Sequence, residues 1–277
     1  MGDLSFRSGP GKIGFLKSVG IGNIITSKLA IPLSINNIAL WLKGDTGIIL
    51  NGSNRVTTWE DQSGNNRHFV DRSTIGIGGA YVLPTVVSNT LLFTASSIYN
   101  AANATILACP SSSLNLTTPY TIFIVARGRN GAIISKSMDD AKRRKMQISM
   151  GDAGDIYSHE SASGDTEISY TTGTGLNINT KRLIAARYNS NTSRELRYNG
   201  TLVASSSDNA GLELTNIAPV YIGASPFRWN SSPDYNAEAC LETYIYEIIL
   251  YSKALNNAEI STVESYLNLR YSIYWNM

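Results

Sequence analysis

Tyr244-Ile245-Tyr246-Glu247-Ile248-Ile249-Leu250-Tyr251 runs through Ser252-Lys253-Ala254-Leu255 into Asn256-Asn257-Ala258-Glu259. The first eight residues are aromatic or β-branched with few exceptions, which suits a pleated strand. Strict alternation puts Tyr244, Tyr246, Ile248 and Leu250 on one face. It puts Ile245, Glu247, Ile249 and Tyr251 on the other. The period then changes. Asn256 is placed to cap a helix, with Glu259 at the third helical position to return the bond. Ile260, Val263, Leu267 and Tyr271 follow at spacings of three and four, so the spacing predicts one amphipathic helix over about 256–272. A lone apolar stripe of this kind must lie on a sheet or on a partner.

Upstream, from Ala39 onward, the pattern is β. Tyr120-Thr121-Ile122-Phe123-Ile124-Val125-Ala126 follows Pro119 as a short apolar run, as a buried sandwich strand does. Met146, Ile148 and Met150 alternate with Gln147 and Ser149, which reads as a half-buried strand. Asn199-Gly200 sits between Leu196-Arg197-Tyr198 and Thr201-Leu202-Val203-Ala204. This pair supplies the positive φ angles of a type I′ turn, so the stretch is a hairpin. Charged residues are only 16% of the chain, and Ser, Thr, Asn, Gly and 15 Tyr take their place. The expected class is all-β: a two-sheet antiparallel jelly-roll sandwich with one C-terminal helix. A single domain of 277 residues buries enough surface to need no disulfide staples. Cys109 and Cys240 are accordingly read as two reduced, partly buried thiols, with pairing left open.

Residues 1–36 differ from the rest. Gly9, Gly11, Gly14, Gly20 and Gly22 interrupt the segment, and no helical or strand period survives. Phe6, Ile13, Phe15, Leu16, Val19 and Ile21 sit between the breaks. This reads as an extended Gly-rich arm, either anchored on another surface or wrapped on its own domain, before a domain over 37–277. The start of the chain lacks the basic and apolar regions of a signal peptide, so synthesis in a cytoplasm is expected. No stretch approaches the ~20 apolar residues of a membrane span. A net charge of +2 argues against a whole-protein polyanion binder, and no specific nucleic-acid partner is expected.

Two regions resemble the concanavalin A-like lectin/glucanase superfamily in its laminin-G-like branch. One is Leu40-Trp41-Leu42-Lys43-Gly44-Asp45 with Val56-Thr57-Thr58-Trp59-Glu60-Asp61-Gln62-Ser63-Gly64-Asn65-Asn66. It is similar to an opening strand followed by a "WxDxSGNGN" turn, with Lys43 and Asn66 departing from that pattern. The other is the strand and helix quoted first, similar to the family's closing "IAEIIIYNRALSDAE…YL". Arg182-Leu183-Ile184-Ala185-Ala186-Arg187-Tyr188 with the Asn199-Gly200 hairpin, and Val220-Tyr221-Ile222-Gly223-Ala224, fall between them in family order. The resemblance spans about residues 38–272. It implies the jelly roll, but not a function, because the fold hosts lectins, adhesins, hydrolases and structural modules.

Family glucanases carry clustered carboxylates, E-x-D-x-x-E, on one strand, where alternate residues share a face. Here the corresponding strand holds only Glu247 among Ile and Tyr, and Glu238 and Glu242 precede it at the wrong spacing. Glu247 reads as a structural carboxylate bonded to a neighbouring turn, and no enzyme is expected. His68 and His159 form no nucleophile or zinc pattern. Asp61 and Asn65 could offer oxygens to calcium, but Asp and Asn also cap turns through their own backbone, which is the favoured reading, so no cofactor is expected. Asp152, Asp155 and Asp165 form a second acidic region with the same reading. Lys142-Arg143-Arg144-Lys145 is the sharpest charge cluster. Phe227, Arg228, Trp229 and Tyr235 form an aromatic loop able to stack on a sugar or fill a partner's pocket, or to tuck under its own loop. These eight residues are the candidate glycan or partner contacts.

Two functional expectations follow. One is a non-enzymatic virion component of a phage (decoration, fibre or tail protein), oligomeric in its assembly. Its arm would hold other virion proteins, and its jelly roll would be exposed to host-surface glycans. The other is a free carbohydrate-binding module. A glycoside hydrolase ranks a distant third.

Overall fold

The computed structural model describes residues 31–75, 81–97, 103–110, 112–114, 119–137, 144–151, 155–160, 166–171, 178–190, 192–207, 219–227 and 236–273. A single helical turn, α1 (Ile31–Ser34), leads into β1 (Ile38–Lys43), β2 (Ile48–Leu50), β3 (Val56–Trp59), β4 (Phe69–Val70), β5 (Thr85–Val87), β6 (Thr90–Thr94) and β7 (Leu107–Cys109). The middle of the chain supplies β8 (Tyr120–Gly128), β9 (Gly131–Ser137), β10 (Arg144–Met150), β11 (Asp155–Glu160) and β12 (Thr166–Thr171). Then come β13 (Arg182–Ser190), β14 (Ser193–Tyr198), β15 (Thr201–Ser206), β16 (Val220–Ile222), β17 (Ala224–Phe227), β18 (Asn236–Ala239) and β19 (Glu242–Tyr251). The helix α2 (Asn257–Tyr271) closes the described chain.

Among the described residues the strands form two large sheets. The first, of eight strands, has the order β15-β14-β13-β8-β19-β6-β5, with β1 also paired to β19. The second, of nine, has the order β12-β11-β10-β9-β16-β7-β4-β3-β2. β19 is the hub of the first sheet. It pairs antiparallel with β8 along one edge, and with β6 and then β1 along the other. The core between the sheets holds Leu40, Leu42, Trp59, Phe69, Phe93, Ile124, Ile148, Ile248 and Leu250, all fully buried. A second cluster lies on the outer face of the first sheet, where α2 lays Ile260, Val263 and Leu267 over Phe123, Val125, Leu183 and Ile249. The expected all-β sandwich with one closing helix is therefore the architecture. Residues 31–36, the last of the segment set apart in the sequence, contribute Ile35 to that second cluster, and Tyr251 donates its hydroxyl to the Pro32 carbonyl.

Local chemistry accounts for the boundaries. Asn256 accepts from the Glu259 amide at 2.9 Å, and the Glu259 carboxylate accepts from the Asn256 amide at 2.9 Å, completing the capping box. Asn199 and Gly200 have φ of 46° and 83°, the left-handed pair of a type I′ turn between β14 and β15. At Gly223, where φ is 92°, an added Cβ would collide with the Phe93 ring and the Thr105 carbonyl, so only glycine fits there.

The structure differs from the sequence expectation at two places. In β19 a bulge between Ile245 and Glu247 breaks the alternation: Ile245 faces Ala126, and Glu247, not Tyr246, faces Val125. Ile245 therefore joins Ile248 and Leu250 in the core, while Tyr246 and Glu247 both turn to the outer face, because one extra residue shifts the pleat by one. In β10, Gln147 and Ser149 are buried as well as Met146, Ile148 and Met150. The strand is covered on both faces rather than half-buried. Within its outward polar pair, Gln147 Nε2 donates to Ser149 Oγ at 2.7 Å.

Candidate functional site

The sequence candidates fall mostly at or beyond the edge of what is described. Lys142, Arg143, Arg228, Trp229 and Tyr235 lie outside the described residues, as do Phe6, Ile13, Phe15, Leu16, Val19, Ile21, Asp152 and Asp165. Arg144 and Lys145 open β10, and Phe227 ends β17 in register with Asn236 of β18. Asp155 opens β11, and His159 of that strand pairs in register with Gln147 and Glu167.

The Asp61 turn is fully described and is a backbone clamp. Asp61 Oδ1 accepts from the Trp41 and Ser63 amides, each at 2.9 Å. Its Oδ2 accepts from Ser63 Oγ at 2.8 Å and from the Arg67 amide at 3.1 Å. Asn65 Nδ2 donates to the Ile38 carbonyl at 3.0 Å, and His68 Nδ1 accepts from the Asp61 amide at 3.0 Å. The carboxylate lone pairs that calcium would use are thus already taken by N–H and O–H donors. Among the described residues no group of three or more His, Cys, Asp or Glu is gathered as a metal site. Cys109 and Cys240 are both buried and unpaired. Burial pushes each thiol up to about 12, which keeps them protonated and poor as nucleophiles or ligands.

Glu247 is fully buried on the outer face of the first sheet, beneath α2. Its Oε1 accepts from Trp41 Nε1 at 2.6 Å and from the Tyr266 hydroxyl at 2.9 Å. Its Oε2 accepts from the Tyr271 hydroxyl at 2.6 Å and pairs with Arg270 Nε at 3.0 Å. Arg270 continues to Asp45 at 2.7 Å. Desolvation raises the Glu247 pKa, opposed by the bonds from Tyr271 and Trp41, the Arg270 charge and the bond from Tyr266. The carboxylate was expected to hold a turn. It instead joins β1, β19 and α2, because the bulge aims it under the helix.

Beyond the end of α2, no described element covers the same sheet face. Across the strands the row reads Leu92 on β6, Tyr244 on β19 and Arg127 on β8. All three are half-buried. The Arg127 guanidinium lies 3.8 Å from the centre of the Tyr244 ring. Its Nε donates to the Tyr246 hydroxyl at 2.9 Å and one Nη donates to Asn179 Oδ1 at 3.0 Å. Lys181 Nζ stands 5.1 Å from the Tyr246 ring centre and 5.9 Å from that of Tyr271, and donates to the Tyr271 carbonyl at 3.2 Å. Sequence reading missed this group. Arg127 lies 117 positions from Tyr244 and 144 from Tyr271. The one available signal was the paired tyrosines flanking Ile245, which the alternation put on one face with Ile248 and Leu250.

Residues 103–261 match a family model described as the concanavalin A-like lectin/glucanases superfamily, more than half of the chain. The chain belongs to the concanavalin A-like lectin/glucanase superfamily. The match starts downstream of the Leu40–Asn66 motif, so membership rests on the second half of the ordered set together with the closing strand. No curated protein matches this lectin-superfamily chain in sequence. Solved structures do match in fold. Trypanosoma rangeli sialidase in complex with sialic acid has a TM-score of 0.56 at 13% identity, covering 90% of this chain and 38% of that one. The binding domain of botulinum neurotoxin DC in complex with SialylT has a TM-score of 0.55 at 13% identity, covering 86% and 52%. The binding domain of Paraclostridial Mosquitocidal Protein 1 has a TM-score of 0.53 at 16% identity, covering 84% and 53%. The chain thus spans about half or less of the length of these structures.

Proposed function

We propose that this lectin-superfamily chain is a non-catalytic carbohydrate-binding module. The observation that carries the non-catalytic half is Glu247. It is fully buried and holds four donors, and the other carboxylate of β19, Glu242, opens the strand five residues away and accepts from the Tyr244 hydroxyl. A general acid or nucleophile needs access to a glycosidic bond and a second carboxylate ~5–9 Å away on an open face. The carbohydrate half draws support from the superfamily and from fold neighbours solved in complex with sialic acid and with SialylT. A glycan array probed with the full chain, with reducing-end release measured on every glycan retained, tests both halves. Retention without release is expected; release of sugar overturns the non-catalytic reading, and no retention at all overturns the lectin reading.

A second reading is a phage virion component displaying that module. The Gly-rich segment 1–36, with its apolar residues between breaks, favours it. In that setting the arm binds other virion proteins, the chain is oligomeric in the particle, and the jelly roll faces host glycans. Deleting residues 1–30 should abolish incorporation into particles while leaving the unfolding midpoint within a few degrees of the full chain.

A further inference from the structure

We propose that the open end of the first sheet's outer face, built on Tyr244, Tyr246, Arg127 and Lys181, is a binding site for the carboxylate of an acidic sugar. This deepens the carbohydrate-binding reading and rests on it.

The argument starts from charge. Arg270, Arg187 and Arg197 each have a carboxylate partner: Asp45 and Glu247, Glu195, and Glu264. Arg127 and Lys181 have none among the described residues. Arg127 uses two of a guanidinium's five N–H donors, one to the Tyr246 hydroxyl and one to Asn179. Glu242 makes no ion pair with either cation; its Oε1 accepts from the Tyr244 hydroxyl at 3.3 Å. Two half-buried cations without a carboxylate partner among the described residues leave a local positive field that a ligand anion can complete.

Geometry adds rigidity. Arg127 sits over the Tyr244 ring at 3.8 Å and is pinned by the Tyr246 hydroxyl, so its fork is held before any ligand arrives. Lys181 is tethered to the last turn of α2 through the Tyr271 carbonyl. An arginine fork pre-ordered in this way matches a carboxylate with two parallel bonds. The tyrosines remain partly exposed beside the cations, which suits the C–H face of a pyranose ring. The sheet itself supplies the frame: Tyr244 and Arg127 are directly opposite on neighbouring central strands.

Isothermal titration of the full chain with 3′-sialyllactose, with a glucuronate-containing oligosaccharide and with lactose as the neutral counterpart tests the site. Tighter binding of either acidic sugar than of lactose is expected, by tenfold or more, and the two acidic probes separate sialate from uronate. Arg127→Ala should weaken the acidic ligand at least tenfold and cut its advantage over lactose, while Arg127→Lys recovers only part of the loss. The near-UV circular dichroism of each variant must match the parent chain. Should Arg127→Ala distort it, Lys181→Ala takes its place, with at least a threefold loss expected. Acidic sugars bound no better than lactose, or bound equally by the variants, overturn the site while leaving a neutral lectin standing. Failure of all three sugars, with retention of some other neutral glycan on the array, likewise overturns only the site; failure of every glycan overturns both readings.

Discussion

One sheet face carries two tyrosine-and-arginine clusters with opposite fates. Under α2, Tyr266 and Tyr271 join Arg270 around Glu247, closed off by Trp41 and balanced by Asp45. Past the last turn of the helix, Tyr244 and Tyr246 join Arg127, with no lid over them among the described residues and no carboxylate partner for the cation. The residue types are nearly the same. The cover and the counter-charge differ. A buried polar group must be fully partnered, so the covered cluster is consumed in holding the helix down. The open cluster can leave donors to water, and a ligand can take them.

The covered half should break most severely. Glu247→Ala removes the acceptor of four donors and leaves Arg270 with Asp45 as its one carboxylate partner, so a loss of about 3–5 kcal/mol is expected from urea unfolding. A loss below about 1 kcal/mol would mean that the cluster is incidental to stability. A titration sharpens the same point. The Glu247 pKa is raised in the folded state, so its protonated form is favoured by folding and its contribution is fully present below the ordinary carboxylate range. That contribution is lost as pH rises through the folded value. The stability deficit of Glu247→Gln, which cannot ionise, should therefore be largest near pH 4 and shrink as pH rises; a deficit that grows with pH would reverse the assignment. The open half should barely register. Arg127→Ala costs one stacked cation and two hydrogen bonds at a half-buried site, about 0.5–1 kcal/mol, read as a small shift in the unfolding midpoint. A loss comparable to that of Glu247→Ala would show that the two halves are one structural cluster.

Much of the frame was legible in the residues. Asn256 with Glu259, and Ile260, Val263 and Leu267, encode the helix through contacts no more than a few residues apart. Asn199-Gly200 encodes its hairpin because few other pairs tolerate two positive φ angles. Asp61 was legible as a turn for the same local reason. The Tyr246–Glu247 bulge was not, since a bulge depends on how β19 registers against β8, and both 245–247 and 125–126 look like ordinary strand. Without the bulge, neither the burial of Glu247 nor the gathering of Tyr246 with Arg127 can be derived.

The sequence by itself determined that this chain is a β sandwich closed by one capped helix, since periodicity, turn residues and caps act over a few positions. It also determined that the alternating stretch Tyr244–Tyr251 carries a single carboxylate, Glu247. Only the tertiary structure decided what that carboxylate does and where Arg127 and Lys181 lie. Burial and ion pairing are set where β1 and β8 meet β19 and the helix from more than a hundred residues away, and a one-residue bulge in β19 chooses which side chains meet on each face.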